Sequence, residues 1–197
     1  LLSFISVFSL SYFTNSLSGL LLLFTILFYL FVYTIWLKKK TPQNIVIGGA
    51  SGALPPVIGW TIATNNISLE PIIFFLIIFF WTPSHFWALS LYKADDYKKA
   101  KIPMLPLTDG IEKTKFYIFI YSLIMLPLVI LPYVINFAGL AYLIPAILLT
   151  LYYNYICYDL LRFKKNKFDI KQAKKVFGYS ILYLFLIFVL FLIDSLI

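Results

Sequence analysis

Histidine and cysteine are almost missing from this chain: each occurs once in 197 residues, as His85 and Cys157. A single thiol excludes intrachain disulfides and thiolate metal clusters, and Cys157, inside an apolar run, reads as a small packing residue. Charge is also scarce. Only 12% of residues are charged, with eight acids against sixteen Lys and Arg, so few places can do ionic chemistry. The remainder is apolar, 62% hydrophobic with a mean hydropathy of +0.93, beyond the balance of a soluble domain. No internal repeat is strong enough to indicate a duplicated fold.

Long apolar runs dominate what is there. Stretches of about twenty such residues cross a bilayer core as helix. They recur at 17–37, 70–92, 116–135, 138–160 and 175–194, with a less apolar one, rich in Gly and Pro, at 44–64. Residues 1–14 are apolar but short for a span, and no basic segment precedes them as in a signal peptide. With Leu1 rather than Met at the start, they read as the tail of a helix that begins upstream. The expected fold class is all-α: a polytopic transmembrane helix bundle of about six full spans plus a partial first one, a single domain over 1–197.

The net charge of +8 raises nucleic acid as a partner, but its distribution argues against that. All the basic residues fall in three connections: Lys38 to Lys40, Lys93 to Lys115, and Arg162 to Lys175. The alternate connections, near Asn15, 65–69 and Asn136, contain none. Basic charge on every second loop is the signature of cytoplasmic loops. The chain is therefore expected in a lipid bilayer with its basic connections cytoplasmic.

The segment from Trp81 to Pro106 concentrates the ionic options, because it holds the only His and the only adjacent acids, Asp95 and Asp96, among Lys93, Lys98, Lys99 and Lys101. Neighbouring residues on a helix point about 100° apart. Two adjacent carboxylates therefore share an ion readily only where a helix ends or unwinds, and Pro103 and Pro106 mark an ending downstream. Carboxylate oxygens suit Mg²⁺, which fills its shell with waters and phosphate oxygens. The same residues also make an ordinary solvated juxtamembrane loop, with Lys setting topology and Asp balancing charge.

His85 lies within a span, beside Pro83, which removes a backbone donor at membrane depth. An ionisable group there is a functional candidate as ligand or proton carrier, or equally a hydrogen-bond partner between helices. A second unusual stretch begins with Tyr33 and Lys38, passes Asn44 and runs through Gly48, Gly49, Ala50, Ser51, Gly52 and Ala53 to Pro55 and Pro56. Its small residues permit close helix packing. They also permit a helix that opens near its start, with Lys38 and Asn44 on the membrane face that carries the Asp pair.

The runs YTIWLKKKTPQNIVIGGASGALPPVIGW and WTPSHFWALSLYKADDYKKAKIPMLP resemble the protoheme IX farnesyltransferases, or heme O synthases, of the UbiA prenyltransferase superfamily. The likeness is specific between about Leu17 and Pro106 and rests on helix pattern beyond. It implies a bundle of about nine helices opening at the cytoplasmic face of a bacterial inner membrane. It further implies farnesyl diphosphate bound through Mg²⁺ on two aspartate-rich loops, and transfer of the farnesyl group to the 2-vinyl group of heme B. Aromatic residues, 20% of the chain, would in part line a tunnel for the isoprenoid tail and shield a developing cation.

Carried onto this sequence, Asp96 and Asp95 become the catalytic and metal-holding pair. Lys38, Asn44, Lys93, His85 and Tyr33 become substrate-binding residues, with His85 facing the porphyrin. Heme-delivery or oxidase-assembly proteins are candidate partners. Two positions depart from the family: Ser84 stands where a second Pro is common, and Lys101 where Gly is common. The family's first aspartate motif does not occur in the chain and is expected upstream of Leu1, so these residues represent half of a metal site. The alternatives are another UbiA-type prenyltransferase, a membrane transporter of an anionic substrate, or an inactive fragment. Against a transporter, the polar groups cluster at an interface rather than at the midplane.

Overall fold

Each of the longer apolar runs becomes a helical stretch of membrane length. The computed structural model describes residues 1–162 and 170–197, and no strand occurs among the described residues. In chain order the elements are α1 (Leu2–Phe13), α2 (Ser16–Leu27), α3 (Asn44–Ala53), α4 (Pro55–Thr64), α5 (Leu69–Tyr92), α6 (Ala94–Lys99), α7 (Leu105–Thr108), α8 (Ile111–Val134), α9 (Leu140–Arg162) and α10 (Ile170–Asp194). Six stretches are long and apolar enough to cross a bilayer: Ser16–Leu37, Asn44–Thr64, Leu69–Tyr92, Ile111–Val134, Leu140–Arg162 and Ile170–Asp194. The third basic connection lies partly outside the described residues.

Two of these spans are not uniform α-helices. α2 runs on as a π-helix over Phe28–Leu37, visible in the bond from the Lys38 N–H to the Tyr33 carbonyl at 2.8 Å. The Gly- and Pro-rich span is two helices meeting at Leu54. Pro55 and Pro56 open α4, where a proline lacks a donor the helix does not need.

α5 is the shared wall of the bundle. It packs against α8 and α10 on one side and α3 and α4 on the other, and α9 closes the group by packing on both α8 and α10. Trp87, Tyr142, Tyr153 and Tyr183 are among its fully buried side chains, as is Cys157, in agreement with its reading as a packing residue. Lipid tails are as apolar as leucine, so helices in a membrane hold together through packing and hydrogen bonds rather than water exclusion. Hydroxyls supply those bonds. Ser84 Oγ meets Tyr153 Oη at 2.7 Å, Thr150 Oγ1 meets Tyr183 Oη at 3.0 Å, and Tyr179 Oη donates to the Leu149 carbonyl at 3.0 Å. The outer helices are tied in by Asn15, whose Nδ2 donates to the Thr61 carbonyl at 2.7 Å.

The end of α10 caps the start of α9. The Asp194 carboxylate accepts from the backbone N–H groups of Gly139 at 2.7 Å and Tyr142 at 3.0 Å. This satisfies donors that a helix start leaves unpaired and sets negative charge against the positive end of the helix dipole. Replacing Asp194 by Ala should therefore destabilise the fold by about 1–2 kcal/mol, read as a lower thermal unfolding midpoint in detergent.

Candidate functional site

A polar mouth and an apolar interior meet at the basic end of the bundle. α3 begins at that end with Asn44, which is completely buried. Its Nδ2 donates to the Thr41 carbonyl at 2.7 Å, while its Oδ1 has no hydrogen-bond partner among the described residues. A dry amide oxygen without a donor is costly unless a ligand, a water or a cation satisfies it. The preceding π-helix delivers Tyr33 and Lys38 to the same end, with Lys38 Nζ 5.9 Å from the Tyr33 ring centroid, within cation–π range.

α5 reaches the same end from the opposite direction and stops at Tyr92. After a bend at Lys93, α6 carries Asp95 and Asp96 in its first turn, both exposed. The Asp96 carboxylate pairs with Lys93 Nζ at 3.1 Å, a contact that is mostly solvated and weak. Tyr97, half-buried, lies close enough to Tyr33 for their phenols to interact, so α6 sits beside the π-helix. Burial pushes the Tyr97 phenol above its ordinary range, with Tyr92 and the Asp96 charge adding to the effect.

α6 ends in a Schellman motif. The Ile102 N–H returns to the Tyr97 carbonyl at 3.0 Å and the Lys101 N–H to that of Lys98 at 3.1 Å. This places Lys101 in the left-handed region at φ 54°, which is why glycine suits the position.

Below this mouth lies a cavity of about 290 Å³, lined by Tyr29, Tyr33 and Ile45 at one side and Ile78, Trp81, Thr82 and Phe86 at the other, with Gly48, Gly49, Ser51 and Gly52 forming the α3 wall. The glycines allow α3 to approach both neighbours. A Cβ added at Gly48 would lie 2.3 Å from Tyr33 Cδ2, and one at Gly49 3.0 Å from Thr82 Cγ2. Two further cavities adjoin it. One, of about 410 Å³, shares Tyr29, Ser51 and Gly52. The other, of about 490 Å³, shares Ile78 and Trp81 and continues between Pro55, Pro56 and α10.

The structure thus gathers Lys38, Asn44, Tyr33 and α6, with its Asp95, Asp96 and Lys93, at one end. It places His85 elsewhere. The imidazole is stacked between Trp81 at 4.3 Å and Phe177 at 4.6 Å, and its Nδ1 is 2.7 Å from Ser180 Oγ. His85 stands behind the cavity wall rather than on it. The sequence reading passed over Trp81, Thr82 and Tyr97. It also counted Lys115 as loop charge, whereas Lys115 is fully buried on α8 with Nζ 3.1 Å from Glu112 Oε1.

The fold is a polytopic helix bundle with an apolar cavity beneath a mouth that holds both acids and lysines, and the chain belongs to the UbiA prenyltransferase family, whose pattern matches residues 1–181. Its relatives include the protoheme IX farnesyltransferase of Pelagibacter ubique, 76% identical over 194 residues, covering 98% of this chain and 64% of that protein. Those of Azorhizobium caulinodans and Parvibaculum lavamentivorans are 50% and 48% identical, covering 98% and 99% of this chain and 62% and 61% of theirs. The chain spans slightly less than two thirds of the length of these relatives. A solved structure of digeranylgeranylglyceryl phosphate synthase superposes with a TM-score of 0.74 at 20% identity, over 94% of this chain and 63% of the other, and shares its fold.

The glycine wall yields a paired expectation. Gly48→Val should clash with Tyr33 and destabilise the fold by about 1–3 kcal/mol, read as a lower thermal unfolding midpoint in detergent. Gly59→Ala, where an added Cβ meets nothing within 4 Å, should not lower it.

Proposed function

We propose that this chain forms part of an enzyme that transfers the farnesyl group of farnesyl diphosphate to the 2-vinyl group of heme B, giving heme O. The observation that carries the reading is the cavity itself, apolar in depth and opening toward the end that holds Lys38, Asn44 and the Asp pair. The similarity to protoheme IX farnesyltransferases along nearly the whole chain supports the choice of substrates.

In this reading the allylic C–O bond breaks and diphosphate leaves with the bonding pair. The allylic carbon then bonds to the terminal vinyl carbon of the porphyrin, and water adds to the resulting cation and loses a proton, leaving the hydroxyl group. Lys38 and Lys93 stabilise the leaving charge. The apolar walls keep water from the cation until the new carbon–carbon bond exists, and the face of Tyr33, the cavity aromatic beside Lys38, is placed to shield it.

The donors at the mouth fit Mg²⁺. Asp95 and Asp96 offer hard oxygens, and the buried Asn44 Oδ1 is an unsatisfied one at the same end. No group of three or more His, Cys, Asp or Glu residues suited to a metal occurs among the described residues. Phosphate oxygens and waters would fill much of the shell, as Mg²⁺ prefers. When bound, the ion would neutralise diphosphate charge. The distribution of lysines supports a bacterial inner membrane orientation with this mouth cytoplasmic. The proposed contact of His85 with the porphyrin would be made by its ring edge, since Trp81 and Phe177 cover both ring faces.

Membranes carrying the complete reading frame that contains this chain, incubated with heme B, farnesyl diphosphate and Mg²⁺, should yield a farnesylated heme by mass spectrometry. Asp96→Ala should lower that rate by about 10²-fold or more at unchanged protein level. No farnesylated heme from the unaltered protein would refute the assignment.

A further inference from the structure

The two cavities on either side of Trp81 are separated by a side chain that the structure holds with unusual firmness. Trp81 and Ile78 line both the cavity of about 290 Å³ under the polar mouth and the one of about 490 Å³ beyond it. The indole Nε1 donates to the Ser180 carbonyl at 2.9 Å. Its face stacks on His85 with an interplanar angle of 20°, and His85 stacks in turn on Phe177 at 24°. Ser180 Oγ bonds both His85 Nδ1 at 2.7 Å and the Phe177 carbonyl at 2.6 Å. Three rings and one serine therefore fix the wall from the α10 side, so it does not swing as a free rotamer would.

Its depth is set by the helix. Trp81 stands twelve residues before Lys93, about 18 Å down the axis of α5 at the helical rise. A chain anchored by its diphosphate at the mouth and laid down the first cavity meets the indole at that depth. The second cavity continues past it between Pro55 and Pro56 on α4 and Leu184 and Phe188 on α10. That space is apolar and larger than the first, and the indole, with Ile78 beside it, stands between the two.

We infer that Trp81 is the floor of the tail cavity and sets the length of the allylic chain the protein accepts, with His85 and Ser180 as the residues that position it. The inference rests on the prenyl-donor reading above. It gives the single histidine a task that needs no proton transfer: it is a flat spacer that holds a second flat ring in place.

The test is a binding comparison without heme, so it is independent of the acceptor. Farnesyl and geranylgeranyl diphosphates are titrated with Mg²⁺ into the complete protein in nanodiscs. The unaltered protein should bind the C15 chain more tightly than the C20 chain. Trp81→Ala should raise the affinity for the C20 chain relative to the C15 chain by about tenfold or more, and Trp81→Leu, which keeps more of the packing, should shift it in the same direction. Adding Leu184→Trp to Trp81→Ala refills the second cavity and should return the preference to C15. Ser180→Ala should move the ratio part of the way, which general loosening of the bundle would not do, because that weakens both ligands together. An unchanged ratio in both Trp81 variants, with thermal unfolding showing them folded, overturns the inference. So does an unaltered protein that binds the two chains equally. Failure to farnesylate heme in the separate turnover assay counts against the acceptor assignment alone.

Discussion

The close approach of α3 to α5 is the constraint on which the site depends. Gly49 removes the side chain that would hold α3 off α5, where Thr82 fills the space over it, and Gly48 does the same toward the π-helix, where Tyr33 fills it. From this contact follow the position of the π-helix, the width of the cavity and the burial of Asn44 at the start of α3. α5 can serve as a wall common to the two cavities that meet at Trp81 because a Gly-lined helix leans on one face while tyrosine- and serine-bearing helices grip the other.

Much of this was legible in the sequence, because a bilayer imposes a length and a charge rule on any helix that crosses it. The six long spans, the buried Cys157 and the placement of Lys38, Asn44 and the Asp pair at one end all follow from run length and lysine spacing. What was not legible depends on contacts between distant residues. Nothing local in Phe28–Leu37 distinguishes a π-helix from an α-helix. Trp81 and Ser180 are 99 residues apart, and no pattern within either helix announces that they meet. Lys115 looked like loop charge because the apolar run begins just after it, whereas the helix starts four residues earlier at Ile111 and carries its ammonium group inside.

His85 shows how the two levels inform each other. As a lone ionisable group at membrane depth it pointed to chemistry. In the structure it is enclosed by Trp81, Phe177 and Ser180, which turns it into a support for an aromatic wall. The residues that meet solvent at the mouth, Asp95 and Asp96, are by contrast loosely held, with one exposed lysine contact. Rigidity thus belongs to the apolar part that shapes a tail, and freedom to the ionic part that meets a charged head.

The hydroxyl bonds among α5, α9 and α10 have a further meaning in lipid. A smooth apolar helix can turn about its own axis at little expense, since one leucine-covered face is as good as another to an acyl chain. Ser84 with Tyr153 and Thr150 with Tyr183 act as keys that fix the angular setting of each helix. A chain that lost one of these hydroxyls would still insert and still cross the membrane. What it would lose is the knowledge of which side faces inward.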